Sequence, residues 1–171
     1  MSQMSTDQLA VASAAQAHRL RRAATTIRRE ASGLTYHPAT GRRPVASPTL
    51  LAALDEVERV VREVQRGAPA RAAGAPAGEG AAAAGALPAA DAAVDAAAGV
   101  VVAAADVLRG VLPGERDASV DAPYGAGAPR RPHPGALATL LAERVEELAR
   151  ALEVAAIVRA NLARGARGRG T

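Results

Sequence analysis

Cysteine, lysine, phenylalanine and tryptophan are all absent from the 171 residues, Asn occurs once, and the only aromatics are two tyrosines. Without Lys there is no phosphate loop of the G-x-x-x-x-G-K-[ST] kind and no Schiff-base lysine for pyridoxal phosphate. Without Cys there is no thiol nucleophile, iron–sulfur cluster, disulfide or cysteine-based zinc site. So few aromatics leave almost no platform on which bases could stack. The apolar supply is thin as well: Leu, Val and Ile together number 33, near the lower limit for burying a core.

Long apolar runs are also missing. The longest, Val100 to Ala105, follows Gly99 and is bracketed by Asp95 and Asp106, far short of the roughly 20 residues a membrane span needs. The first residues offer an A-x-A string at Ala15 to Ala17, but Asp7 and a short, Leu-poor stretch are unlike an export signal, so a cytoplasmic location is expected. What the chain has in excess is 47 Ala and 21 Arg, the bias of a high-GC bacterium.

Period and punctuation predict four helices. The first opens with Ser5 as N-cap and Gln8 three residues on, a capping box, with Met4 and Leu9 placed as a hydrophobic staple and Gly33 as the C-terminal cap. Leu9, Gln16, Leu20, Ala24, Ile27 and Ala31 form its apolar stripe. The second opens at Ser47 and Pro48, carries Leu50, Leu54, Val57, Val61 and Val64 in steps of four and three, and is expected to stop at Gly67. The third begins softly between Ala81 and Ala89 and ends at Gly110, with Leu87, Val94, Val101 and Leu108 seven apart. The fourth, from about Gly135 to Arg164, supplies Leu141, Val145, Leu148, Leu152, Ala155 and Leu162, with Gly165 as its cap and Arg159 and Arg164 at the end where the helix dipole favours cations.

The expected fold is all-α: two helical hairpins, 1–66 and 81–164, forming an antiparallel four-helix bundle. A flexible Ala/Pro/Gly linker is expected at 67–80, a long loop at 111–134, and a disordered basic tail at 165–171. The halves share a string that reads as a candidate internal duplication. Tyr36, Arg42-Arg43-Pro44 and Thr49-Leu50-Leu51-Ala52 are echoed by Tyr124, Arg130-Arg131-Pro132 and Thr139-Leu140-Leu141-Ala142. Composition alone also produces such strings where Arg and Pro abound, and both readings stay open at this point.

Catalytic constellations are not found. His18, His37 and His133 are scattered, no H-E-x-x-H, E-x-x-H or G-x-S-x-G occurs, and the neighbouring acids Asp55-Glu56 and Glu146-Glu147 diverge by about 100° on a helix. The chain is therefore expected to be non-catalytic, with no cofactor and no metal. Its candidate role is protein interaction or assembly, with a protein partner or a second copy, through an apolar seam of Leu54, Val57, Val61, Leu141, Val145, Leu148 and Leu152. The alternative is accessory nucleic-acid binding. Residues 1–47 hold seven Arg against two acids, and Arg21, Arg22, Arg28 and Arg29 gather opposite the apolar stripe, with a second basic cluster in the tail. Against that alternative, such a face can be solvated or matched internally by the acidic third segment.

Overall fold

The computed structural model describes residues 5–34, 45–73, 81–112 and 133–168. Four helices fill them: α1, Thr6–Ala31; α2, Pro48–Ala73; α3, Ala81–Val111; and α4, Pro134–Gly168, with a single 3-10 turn, Ser32–Leu34, closing α1. No strand occurs among the described residues.

The starts follow local chemistry. Ser5 accepts the Gln8 backbone N–H, while the Gln8 side chain accepts from Ser5 N at 2.8 Å, the reciprocal box the sequence predicts. Met4, the other half of the expected staple, lies outside the described residues. Ser47 Oγ accepts the Leu50 N–H at 3.0 Å, with Pro48 at the first helical position. At α4 a histidine does the same work: His133 Nδ1 accepts the Gly135 N–H at 3.1 Å, just before Pro134.

The ends depart from expectation. Ser32, not Gly33, caps α1, and Gly33 sits inside the 3-10 turn without the left-handed backbone of a glycine cap. Helix α2 does not stop at Gly67 but continues to Ala73, so part of the expected linker is helical, while 74–80 lie outside the described residues. Likewise α4 passes Gly165 and reaches Gly168, which makes the first residues of the expected tail its last turn. A glycine costs a helix only about 1 kcal/mol, and the alanines that follow in both places favour helix. In α4 the extension is also tied down, because Arg167 pairs with Asp7 of α1 at 2.9 Å.

The helices form an up-down-up-down four-helix bundle. Neighbours run antiparallel: going up α1 from Asp7 through Arg21 to Arg28, the partners on α4 descend from Arg167 through Glu153 to Glu146. Each helix packs on two others, and the order around the ring is α1, α2, α3, α4. The most extensive interface, α1 on α4, joins one expected hairpin to the other, and α2 on α3 is the least extensive. The core runs through all four helices, with Leu20, Ile27, Leu54, Val57, Val101, Leu108, Leu141, Leu148 and Leu152 among its buried side chains. Within α1 the buried stripe is Ala10, Ser13, Ala17, Leu20, Ala24, Ile27 and Ala31, so that Leu9 and Gln16 end up half-buried at its margin.

The shared TLLA string is used in opposite registers. In α2 the first leucine, Leu50, is buried and Leu51 is 46% exposed; in α4 Leu140 is 40% exposed and Leu141 is buried. The strings are therefore not equivalent in the packing, whatever their origin. The tyrosines and the RRP triplets lie outside the described residues.

Candidate interaction face

The seven residues read as an interaction seam are used inside the chain. Leu54, Val57, Val61, Leu141, Val145, Leu148 and Leu152 are each at most 2% exposed and belong to the same core cluster. A partner could reach them only if the bundle opened.

Three basic residues of α1, Arg19, Arg21 and Arg28, are matched by acids of α2 and α4 rather than of α3. Arg21 pairs with Glu153 at 2.6 Å and Arg28 with Glu146 at 2.8 Å, both across the α1–α4 interface. Arg29 reaches Glu30 at 3.3 Å, and Arg22 is exposed, with no ion pair among the described residues. On the other flank of α1, Arg19 bridges Glu56 and Glu63 of α2, both at 2.6 Å. These contacts act on ionisation. Hydrogen bonding to Arg19 holds the Glu56 carboxyl below its ordinary range, and hydrogen bonding to Arg28 does the same for Glu146. The reciprocal bonds to Glu63 and Glu56 hold the Arg19 guanidinium above its ordinary value.

The neighbouring acids on α2 and α4 diverge as helical spacing requires. Asp55 faces Arg109 of α3 while Glu56 faces α1; Glu146 faces α1 while Glu147 pairs with Arg144 on its own helix. Arg109 also pairs with Glu58, tying α2 to α3. Among the described residues, no group of three or more His, Asp or Glu is placed to hold a metal ion, and no helix is long and apolar enough to cross a membrane.

One charged group went unread in the sequence. Arg159, assigned there to the dipole at the end of α4, is 1% exposed, hydrogen-bonds Ser13 Oγ of α1 at 3.3 Å and pairs with Asp91 of α3. The signal was present: Val145, Leu148, Leu152 and Ala155 step by three and four, and the next step lands on 159.

Isolated large hydrophobics are exposed on α1 and α4 (Val11, Val154 and Ile157), but the outer side of α3 is apolar along its length. Only Asp91, Asp95, Asp106 and Arg109 are charged among its 31 residues, and Ala92, Ala96, Gly99, Val100, Ala103 and Val107 all face outward. Val100 is 48% exposed and Val107 50%. Where α3 meets α4 this strip continues into a shallow depression of about 250 Å³. Val100, Ala103, Ala104 and Val107 form one wall and Leu137, Leu140 and Arg144 the other. Arg144 is its single charged lining residue, and hydrogen bonding to Glu147 raises that guanidinium above its ordinary value. A row of small residues lets a second helix approach near the lower end of the usual interaxial range of about 8–10 Å. A second groove, of about 290 Å³, lies between α2 and α3, but its floor is the core itself (Val57, Val61, Val101 and Ala105) and its rim is charged.

No family model matches the chain, and neither the curated proteins nor the solved structures contain a match to it.

Proposed function

We propose that this chain is a non-catalytic helical interaction protein, in which seam packing builds the bundle and the outer face of α3, with the depression where it meets the start of α4, makes the contact. The observation that carries this reading is the composition of α3's outer face. The outer faces of α1, α2 and α4 carry Arg and Glu among their exposed hydrophobics, whereas the equivalent side of α3 presents Ala, Gly and Val. Contiguous apolar surface of this kind marks contact sites. The occupant that fits is an α-helix of another protein, apolar on one side and basic on its flank. The strip is one helix long and lined by small residues. Asp106 is exposed beside it, while the single Arg of α3 is engaged by Asp55 and Glu58.

The nucleic-acid alternative draws less support, since three of its four α1 arginines already have carboxylate partners.

The test is a pair of double variants, Val100→Glu with Val107→Glu on α3, and Val154→Glu with Ile157→Glu on the exposed side of α4. Both should stay folded, because all four positions are about half exposed or more. Stoichiometric partners co-purified with the intact chain are identified by mass spectrometry, and the chain's own mass is read by light scattering. The proposal expects a helical, basic partner that the α3 variant loses and the α4 variant keeps. A mass that doubles, and returns to that of one chain only in the α3 variant, would replace the partner with a second copy. Binding insensitive to the α3 variant, or neither partner nor self-association, would overturn the reading.

A further inference from the structure

Arg159 and Ser13 are the two buried polar residues among the described residues; everything else in the core is apolar. That core is repetitive along α3. Leu87, Val94, Val101 and Leu108 recur every seven residues, with Ala90, Ala97 and Ala104 three residues after the first three. Sliding α3 by seven residues along its neighbours sets Val or Leu back onto Val or Leu, and the apolar packing discriminates weakly between the two positions.

The buried ion pair does discriminate. In the observed register Asp91 meets Arg159, and Arg159 also bonds Ser13, so one side chain ties α4 to both α3 and α1. After a seven-residue slip Ala84 or Ala98 would stand where Asp91 stands, leaving a buried guanidinium without its carboxylate, which is strongly unfavourable. A second cross-link of α3, Arg109 to Asp55 and Glu58, lies at the rim with Arg109 35% exposed, where solvent weakens it. We propose that the Arg159–Asp91 pair is a register lock: it selects one of several heptad-related packings of α3 rather than supplying the bulk of the stability.

The chain has no cysteine, so spin labels can be attached at introduced cysteines alone. Labels at Ala96→Cys on α3 and Ala136→Cys on α4, both exposed, are offset along the bundle, and their separation responds to sliding. With the lock intact, pulsed dipolar spectroscopy should give one narrow distance. Arg159→Met is combined with Asp91→Ala and, separately, with Asp91→Leu, so that a small void at 91 is not mistaken for loss of the lock. Both combinations should remain helical and melt no lower than the parent, and both should add a second distance population displaced by up to about 10 Å, the length of seven helical residues. A single unchanged distance in both would overturn the proposal. So would failure of both to fold, since the pair would then be a requirement for stability and not a selector of register.

Discussion

The contrast between Leu148 and Leu140 tests the placement of the core most sharply. They lie eight residues apart on α4, and the spacing of its apolar residues gives Leu148, but not Leu140, to the seam. In the fold Leu148 is 0% exposed at the centre of the core, whereas Leu140 is 40% exposed at the α3–α4 depression. Truncating Leu148 to Ala removes side-chain carbons that contact the other core residues and leaves a hole the bundle can only partly close. Buried Leu→Ala changes of this kind cost about 2–5 kcal/mol. Taking about 3 kcal/mol, with an urea dependence of about 2 kcal/mol per molar, the unfolding midpoint should fall by roughly 1.5 M. Leu140→Ala removes the same atoms from the surface and should change stability by no more than about 0.5 kcal/mol, hence the midpoint by less than roughly 0.3 M. Urea unfolding followed by circular dichroism at 222 nm reads both, with the slope unchanged if the transition stays two-state. Equal shifts, or a larger effect at Leu140, would refute the burial pattern and the helix register derived from it.

Two glycines should respond with opposite signs. A Cβ on Gly135 would sit 2.7 Å from the Ala31 carbonyl oxygen, so Gly135→Ala should destabilise by about 1–3 kcal/mol, whereas at Gly99 the added atom meets nothing within 4 Å and Gly99→Ala should stabilise by about 0.5–1 kcal/mol. Thermal melting of the two variants decides it. Glu56 and Glu146 titrate below their ordinary value of about 4.5, so the stability they contribute is fully present above that pH and is lost as pH falls through their lowered folded values. Melting temperature should drop on acidification over that range, and Glu146→Gln should flatten the drop; an unchanged acid limb would contradict the α1–α4 pairing. Ser5→Ala should cost about 1 kcal/mol by removing the cap of α1, read as earlier hydrogen exchange in the first turn.

How much of this was legible in the sequence depends on whether the signal is local. Helix starts at Ser5 and Ser47 were readable because a cap needs only residues within three of one another. Helix ends were not, because Gly67 and Gly165 are weak breakers and what overrode one of them, the Arg167–Asp7 contact, joins residues 160 apart in sequence. The seam was readable from its steps of three and four. The error at Arg159 arose because a cation near a helix terminus satisfies the dipole argument equally well, while the partner that explains its burial, Asp91, sits on another helix beyond a long connection. Matching of the α1 arginines by acids was one of two readings, the other being a solvated face, and naming α3 as the source relied on segment charge totals. Which helix lies beside α1 is a property of the bundle's ring order and is not contained in those totals. The outer face of α3 was not readable from its row of Leu87, Val94, Val101 and Leu108, because which side of a nearly uncharged helix is left uncovered depends on where its neighbours pack.

The central claim is that the seam closes the chain's own core and leaves the α3–α4 face for contact. The most direct measurement is the melting temperature of the Val100→Glu, Val107→Glu variant over a hundredfold range of protein concentration, because that variant removes surface association. A core closed within one chain predicts a midpoint independent of concentration. A midpoint that rises steadily with concentration would mean that Leu54, Val57, Val61, Leu141, Val145, Leu148 and Leu152 pack between chains, and would contradict the account.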